Sequence, residues 1–219
     1  MKILAIDTST EACSAALLVN GMVHSRYEVI PQKHAELILP MIDELLAESD
    51  CRVNELNAIA FGKGPGAFTG IRIATGIAQG LAYSAGVPVI PVSSLAALAE
   101  PVKSRAEYII AAIDARMGEI YCGFFRAGEA PELISEEMVI RPDDFRIDTT
   151  GTLYGTGTGW KTYEDILTKT AGSQLLGFEG NSYPNAVDIL SIAVRNYREG
   201  NILSPEKAVP SYVRNKVTQ

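Results

Sequence analysis

The first thirty residues alternate between apolar and polar positions in a way that predicts strands. Strand-like runs cover residues 3–6, 14–19 and 22–29. Asn20-Gly21 lies between the last two runs, and this pair favours a two-residue hairpin because both positions of a type I′ turn need positive φ. The chain is therefore predicted to open with a three-stranded antiparallel meander.

Helical periodicity appears in three longer stretches. Apolar residues at i, i+3 and i+4 spacing predict a helix over Lys33–Ala47. Pro40 lies inside it and predicts a kink or a restart, because proline removes one ladder hydrogen bond. A second helix is predicted from about Ile71 to Ala85, ended by a glycine C-cap. A third, amphipathic helix is predicted over Asn185–Glu199, ended by Gly200.

Shorter elements fill the remaining sequence. Apolar runs predict strands at 58–61 and 87–92, and Ser93 and Ser94 are positioned to cap a short helix through Ala99. A further helix is predicted from Trp160 to about Lys169, directly after a glycine-rich loop. Strands and helices thus alternate along the whole chain, which indicates an α/β protein.

The strand pattern of the first residues starts again after residue 106. Strands are predicted at 108–113, 119–125 and 133–140, and Ala5-Ile6-Asp7 reappears as Ala112-Ile113-Asp114 at the same point of the pattern. This repeat indicates a duplicated domain. Since 101–106 is polar and holds a proline, we predict domains at 1–103 and 104–219, with the tail from about residue 200 packing back on the first.

Charge and cysteine usage exclude several functional classes. The chain carries 26 acidic and 19 basic residues, a formal charge of −7, which argues against autonomous binding of nucleic acid or of an anionic membrane. Three widely spaced cysteines without a CxxC pair indicate free thiols in a reducing compartment. No apolar run is long enough for a secretion signal or a membrane span, so a cytoplasmic protein is expected.

A polar turn at the end of the first strand is the first candidate site. Asp7, Thr8 and Ser9 place a carboxylate beside two hydroxyls, which suits a nucleotide phosphate and its magnesium ion. A second glycine-rich loop, with Gly155 and Gly157, could contribute to the same nucleotide site. The alternative is an ordinary Asx-type turn, because Asp and Thr are common in turns.

The glycine-rich segment 62–70 is the second candidate. It lacks the Lys-Ser/Thr ending of a P-loop and the spacing of a dinucleotide-binding fingerprint. Its backbone could approach a ligand or a partner closely. The alternative is a tight turn that Phe68 anchors in the core.

The helix after this segment has small residues on two sides. One row is Gly70, Ala74, Ala78 and Ala82, and a second is Gly76, Gly80 and Ser84. Such rows let other backbones approach closely. One side must face the core, and the other is available to a helix from another chain, unless the helix is buried all round. No histidine lies near a cysteine or a serine elbow in sequence, so neither a catalytic centre nor a metal site is predicted.

Five segments together resemble the bacterial TsaB (YeaZ-type) family. They are Ile3–Ser9, Lys33–Glu36, Gly64–Arg72, Pro91–Leu95 and Asp114–Glu119, and the Gly64–Arg72 stretch, GPGAFTGIR, is the most specific. The resemblance covers nearly the whole chain and is weakest from 125 to 185. It implies two ribonuclease-H-like lobes of mixed β-sheet with flanking helices, the duplicated fold of actin, sugar kinases and Hsp70, which agrees with the repeat.

The same resemblance implies a role in forming N6-threonylcarbamoyladenosine at position 37 of ANN-decoding tRNAs. In such systems a TsaD subunit transfers the threonylcarbamoyl group and a small ATPase, TsaE, is also required. That transferase carries an Asn-His-x-x-x-His metal motif, where this chain has Ser94 and Leu98 in place of the imidazoles. Leucine cannot ligate a metal, so we expect a non-catalytic subunit that binds and activates TsaD and meets tRNA only through the complex.

The TsaB-like subunit pairs with TsaD through its first lobe, so the expected contact lies on the first two long helices. The predicted interface residues are His34, Ile38, Met41, Leu45, Ile73, Ala74, Ile77, Ala78 and Leu81. A homodimer through the same helices is expected when the partner is missing. No cofactor is expected for this chain, although ATP or ADP could bind at the complex. The alternative is an ATP-binding phosphotransferase of the same superfold.

Overall fold

The computed structural model describes residues 1–213, which form two compact units. The first comprises Met1–Ala97 and Pro184–Ser211, and the second consists mainly of Leu98–Tyr183. The first unit ends at Ala97, near the predicted boundary at 103, and the chain returns to it at Pro184 rather than at about residue 200. The physical reason for the earlier return is the last long helix, whose apolar stripe is buried on the first sheet.

The first unit is built on a five-stranded sheet. Its strands are β1 (Ile3–Asp7), β2 (Ala12–Val19), β3 (Met22–Val29), β4 (Ala58–Gly64) and β5 (Val89–Ser93), in the order β3-β2-β1-β4-β5. The first three are antiparallel, and β4 and β5 run parallel to β1 and to each other. Asn20 and Gly21 adopt φ of 52° and 80°, which confirms the predicted meander and its turn.

Helices α1 (His34–Glu48) and α2 (Phe68–Ala85) cover one face of this sheet, and α3 (Ser94–Ala99) follows β5. Helix α1 continues through Pro40, so the predicted restart does not occur. Only one ladder hydrogen bond is lost there, and burial of the apolar stripe outweighs it. The Ser93 hydroxyl accepts the N–H groups of Leu95 and Ala96 at 3.1 and 3.2 Å, which confirms the predicted cap.

The second unit contains a six-stranded sheet with a matching start. Its elements are β6 (Tyr108–Arg116), β7 (Glu119–Arg126), β8 (Glu132–Leu133), β9 (Met138–Ile140), β10 (Leu153–Thr156), α4 (Thr158–Thr162), α5 (Glu164–Ala171) and β11 (Leu175–Glu179). The order is β11-β10-β6-β7-β8, and β9 also pairs with β7. The predicted strand 133–140 is therefore two short strands, and the predicted helix from Trp160 to Lys169 is interrupted at Tyr163, whose backbone is not helical.

The two units repeat one topology. Strand β1 pairs antiparallel with β2 and parallel with β4, and β6 pairs antiparallel with β7 and parallel with β10. The aspartate near the end of each first strand accepts the N–H of the residue two positions later, Asp7 from Ser9 at 3.0 Å and Asp114 from Arg116 at 2.9 Å. Two mixed sheets with flanking helices confirm the predicted duplicated fold.

Helix α6 (Ala186–Glu199) packs on the face of the first sheet opposite α1 and α2, with Ile189, Leu190 and Ala193 buried there. The Asn185 side chain accepts the Val187 N–H at 2.9 Å, and the helix ends at Gly200 in the left-handed conformation. Both predicted ends are confirmed. No helix within residues 1–213 is long and apolar enough to cross a membrane.

Candidate functional site

The Asp7 turn is completely buried in the first unit. Asp7, Thr8 and Ser9 have no exposed surface. The Asp7 Oδ1 atom accepts hydrogen bonds from the Ser9 N–H and hydroxyl at 3.0 and 2.9 Å, while Oδ2 has no hydrogen-bond partner among the described residues. Burial raises the pKa of Asp7 from 3.8 to about 7, and the Ser9 hydrogen bonds oppose this shift only in part.

The glycine-rich segment lies directly over this turn. Gly66 and Gly70 are so close that a Cβ atom on either would overlap the carbonyl oxygen of Ser9 or of Thr8, respectively. The Thr8 hydroxyl donates to the Gly70 carbonyl at 2.7 Å, and the Ser9 carbonyl accepts the Ala67 N–H at 2.8 Å. The two glycines therefore allow one part of the backbone to cover another, which was the close approach considered from the sequence.

The predicted form of this segment needs two corrections. Helix α2 begins at Phe68, three residues earlier than expected, because Phe68, Thr69 and Gly70 form its first turn over the Asp7 turn. Phe68 is 49% exposed and its ring lies under the Arg72 guanidinium at 3.5 Å. Anchoring of Phe68 in the core is therefore wrong.

Several polar groups of the Asp7–Ser9 turn already have partners within the chain. The Thr8 hydroxyl donates to the Gly70 carbonyl and the Ser9 hydroxyl donates to Asp7 Oδ1. A nucleotide site at Asp7–Ser9 stays a prediction. In the second unit the Gly157 N–H donates to the Glu179 carbonyl at 3.0 Å, and a Cβ on Gly155 would overlap the Trp160 ring. Gly155 and Gly157 thus serve internal packing, and the turn at Asp7 matches the Asx-type alternative.

The cysteine thiols are also unsuited to catalysis. All three cysteines are buried and free. Burial raises the pKa of Cys13, helped by the nearby Asp7 charge, and that of Cys122, both to about 12. A thiol that keeps its proton at neutral pH is a poor nucleophile. Ser94 and Leu98 are buried, and among residues 1–213 no group of three His, Cys, Asp or Glu side chains could hold a metal ion.

Helix α2 presents an exposed face with small residues beside an apolar ridge. Gly76, Gly80 and Ser84 are exposed, and nothing lies within 4 Å of the position of a Cβ on either glycine. The ridge of Ile73, Ile77 and Leu81 beside them is only partly buried. A row without side chains next to an apolar ridge allows another backbone to approach closely.

Six of the nine predicted interface residues are not on the surface. His34, Ile38, Met41, Leu45, Ala74 and Ala78 are buried in the core of the first unit, because the apolar stripe of each helix is used against the sheet. The prediction that these six residues lie on a contact surface is therefore corrected, because they are buried. The Nε2 atom of His34 has no hydrogen-bond partner among the described residues. Ile73, Ile77 and Leu81 remain accessible in part.

One feature of the second unit was missed at the sequence level. The turn between β6 and β7 is Met117-Gly118, and the Met117 side chain is 87% exposed. The Met117-Gly118 pair between two strand-like runs was the signal available in the sequence.

Comparison with known proteins agrees with this architecture. A family model described as "TsaD: tRNA N6-adenosine threonylcarbamoyltransferase" matches residues 21–202. The Escherichia coli K12 protein described as "tRNA threonylcarbamoyladenosine biosynthesis protein TsaB" is 42% identical over 99% of this chain and 96% of its own length. The Haemophilus influenzae protein of the same description is 39% identical over 100% and 95%.

A solved structure gives the same result for the fold. YeaZ from Pseudomonas aeruginosa superimposes with a TM-score of 0.90 at 41% identity, covering 96% of this chain and 99% of that chain. Similarity of sequence and of structure thus extends over both units. The chain belongs to the TsaB family of tRNA threonylcarbamoyladenosine biosynthesis proteins.

Proposed function

We propose that this protein is a non-catalytic subunit in the formation of N6-threonylcarbamoyladenosine at position 37 of ANN-decoding tRNAs. It binds and activates a TsaD-like transferase subunit, together with a TsaE-like ATPase, in the cytoplasm. The observation that carries the proposal is the α2 face, where Gly76 and Gly80 leave open space beside a partly buried apolar ridge. Membership of the TsaB family indicates the reaction that this contact serves, which is tRNA threonylcarbamoyladenosine biosynthesis.

The chemistry of the described residues favours a non-catalytic role. The buried thiols keep their protons, and the imidazole positions of the transferase motif are taken by Ser94 and Leu98. The glycine-rich segment of the same chain packs directly against the Asp7 turn. We therefore propose that this chain needs no nucleotide or metal ion of its own, and that any ATP or ADP is held by the assembled complex.

Without its partner, the α2 face is proposed to pair two copies of this chain. A row of glycines is self-complementary when two identical helices pack about a two-fold axis. Addition of the transferase-like subunit then replaces the homodimer by a heterodimer. Size-exclusion chromatography with light scattering of the chain alone, and after addition of the partner, distinguishes the two species.

Replacement of Gly80 by leucine tests the face directly. The side chain would enter open space on the isolated chain, so the fold is expected to be retained, with a melting temperature unchanged or slightly higher because glycine is a poor helix former. It would, however, stand where a partner backbone must approach. We expect at least a tenfold weaker complex with the TsaD-like subunit, measured by isothermal titration calorimetry, and a parallel loss of modified tRNA.

Gly128→Leu is the matched control, since Gly128 is an exposed glycine in the second unit. This variant is expected to bind the transferase-like subunit as the unmodified chain does. Equal affinity of the Gly80→Leu chain and the unmodified chain would refute the α2 face as the contact. Failure of the unmodified chain to bind the transferase-like subunit would refute the proposed function itself.

The charge of the chain predicts how it meets tRNA. With a formal charge of −7, the isolated protein should show no salt-dependent tRNA binding near micromolar concentration, because binding of phosphates requires a basic surface. Binding should appear once both partner subunits are added. A gel shift of tRNA with this chain alone would contradict the prediction.

A further inference from the structure

Strand β3 forms one edge of the first sheet and is largely exposed. It has eight residues and, within residues 1–213, pairs with β2 alone. Three of its apolar side chains, Met22, Val23 and Val29, are 60, 51 and 48% exposed. A long edge strand with exposed apolar residues is a template on which another strand can pair, so native proteins usually block such an edge.

Half of the backbone groups of β3 point away from β2. The Ile30 N–H donates to the Glu11 carbonyl at 3.0 Å, and the pairing continues in unbroken register to Val19 and Met22. Every second residue of an antiparallel strand bonds to a given neighbour, so the even-numbered residues of β3 bond to β2. The N–H and C=O groups of its odd-numbered residues therefore face the open edge.

The Arg26 side chain lies across this edge. Its Nη1 atom donates to the Ser25 carbonyl, an outward-facing group, at 3.1 Å. The same guanidinium donates from Nε to Glu44 at 2.9 Å and from Nη2 to Glu48. Because these two carboxylates are one helical turn apart on α1, three hydrogen bonds in fixed directions hold the planar guanidinium against the strand.

A second copy of β3 fits the open edge. Two identical strands can pair antiparallel about a two-fold axis and present the same surface to each other. When the two strands overlap fully, Val23 lies opposite Val29 of the second copy on both sides of the axis, which is a favourable apolar pair. Residue 26 then lies on the axis, so Arg26 faces Arg26 of the second copy, and like charges directly opposite each other destabilise a strand pair.

We propose that β3 is a surface on which two copies of this chain can pair, and that Arg26 keeps this surface closed. The guanidinium occupies the Ser25 carbonyl, and its charge opposes the fully overlapping register. Loss of Arg26 removes both obstacles and leaves the outward backbone groups available to the second strand. The inference concerns the first unit alone and does not depend on the transferase-like subunit.

Arg26→Ala in the Gly80→Leu chain tests this inference, because the leucine blocks any pairing through the α2 face. We expect the dissociation constant of the dimer to fall by about tenfold or more in analytical ultracentrifugation, although the substitution makes the chain more negative. Circular dichroism should show a retained fold, since ion pairs at exposed positions contribute little to stability.

Hydrogen exchange locates the new contact. In the Arg26→Ala dimer, the outward amides of Val23, Ser25 and Val29 should exchange about tenfold more slowly than in the unmodified chain. Ser25→Pro, added to Arg26→Ala, should restore the weak self-association of the Gly80→Leu chain. Proline removes an outward N–H that makes no hydrogen bond to β2, and it is tolerated at such an edge position.

Arg52→Ala in the Gly80→Leu chain is the matched control. Arg52 is an exposed arginine of the same unit and lies outside the sheet. Its loss changes the net charge equally and leaves the β3 edge closed. Self-association of this variant should equal that of the Gly80→Leu chain.

Three results would overturn the inference. One is an unchanged dissociation constant of the Arg26→Ala chain. Another is equal self-association of the Arg26→Ala and Arg52→Ala chains, which would assign the effect to net charge. The last is a dimer whose outward β3 amides exchange as fast as in the unmodified chain, which would place the contact elsewhere. Each result would leave the proposed function intact.

Discussion

Replacement of Gly70 by alanine is expected to lower the free energy of unfolding of the first unit by about 3 kcal/mol. A Cβ atom at this position would overlap the Thr8 carbonyl oxygen, and this neighbour is backbone that cannot rotate away. The hydrogen bond from the Thr8 hydroxyl to the Gly70 carbonyl, 2.7 Å long, holds the two segments together. Either α2 moves away from the Asp7 turn or the turn is distorted, and both changes expose core residues.

The matched control is the same substitution two turns later in the same helix. Gly76 has open space at its Cβ position, so Gly76→Ala should raise the free energy of unfolding by about 1 kcal/mol through helix propensity alone. Urea titration followed by circular dichroism measures both, since the single tryptophan, Trp160, lies in the second unit and does not report on α2. Equal stability of the two variants would disprove the close packing of Gly70.

Stability is expected to depend on pH through Asp7. Burial raises the pKa of this carboxyl from 3.8 to about 7, so the folded chain binds the proton more tightly than the unfolded chain. The carboxyl has no unfavourable effect below about pH 4, and its burial becomes increasingly destabilising as the pH rises to about 7. One pKa unit corresponds to about 1.4 kcal/mol, so the full effect is about 4 kcal/mol.

Asp7→Asn removes this titration and isolates its contribution. The free energy of unfolding of this variant, relative to the unmodified chain, should increase by about 4 kcal/mol between pH 4 and pH 8. Asp43→Asn, at an exposed position of α1, controls for the loss of one carboxylate elsewhere. Parallel stability curves for the Asp7→Asn chain and the unmodified chain would show that Asp7 is not the buried group responsible.

Much of the local structure could be predicted because its causes are local. Asn20-Gly21 predicted its hairpin since few residues other than Asn and Gly tolerate two positive φ angles. Ser93 and Gly200 predicted helix ends, because a hydroxyl or a left-handed glycine satisfies backbone groups within one turn. The repeated Ala-Ile-Asp segments predicted the duplication, and the structure adds the matching hydrogen bonds at Asp7 and Asp114.

The candidate nucleotide site could not be judged from sequence because it depends on contacts over long separations. The polar turn at Asp7–Ser9 is covered by residues about sixty positions later, and this contact gives the Thr8 hydroxyl its acceptor, the Gly70 carbonyl. Glycine is compatible with both a ligand loop and close backbone packing. Only the position of the Thr8 carbonyl separates these two roles for Gly70.

The sequence by itself determined the alternating elements, the duplicated α/β fold and the two rows of small residues on α2. Tertiary structure decided which row faces outward, since periodicity places residues on a helix face but does not say which face the sheet covers. It also decided that α6 belongs to the first unit and that six predicted contact residues are core. These outcomes depend on which of several apolar helix surfaces packs on the first sheet. A local sequence pattern does not contain that information.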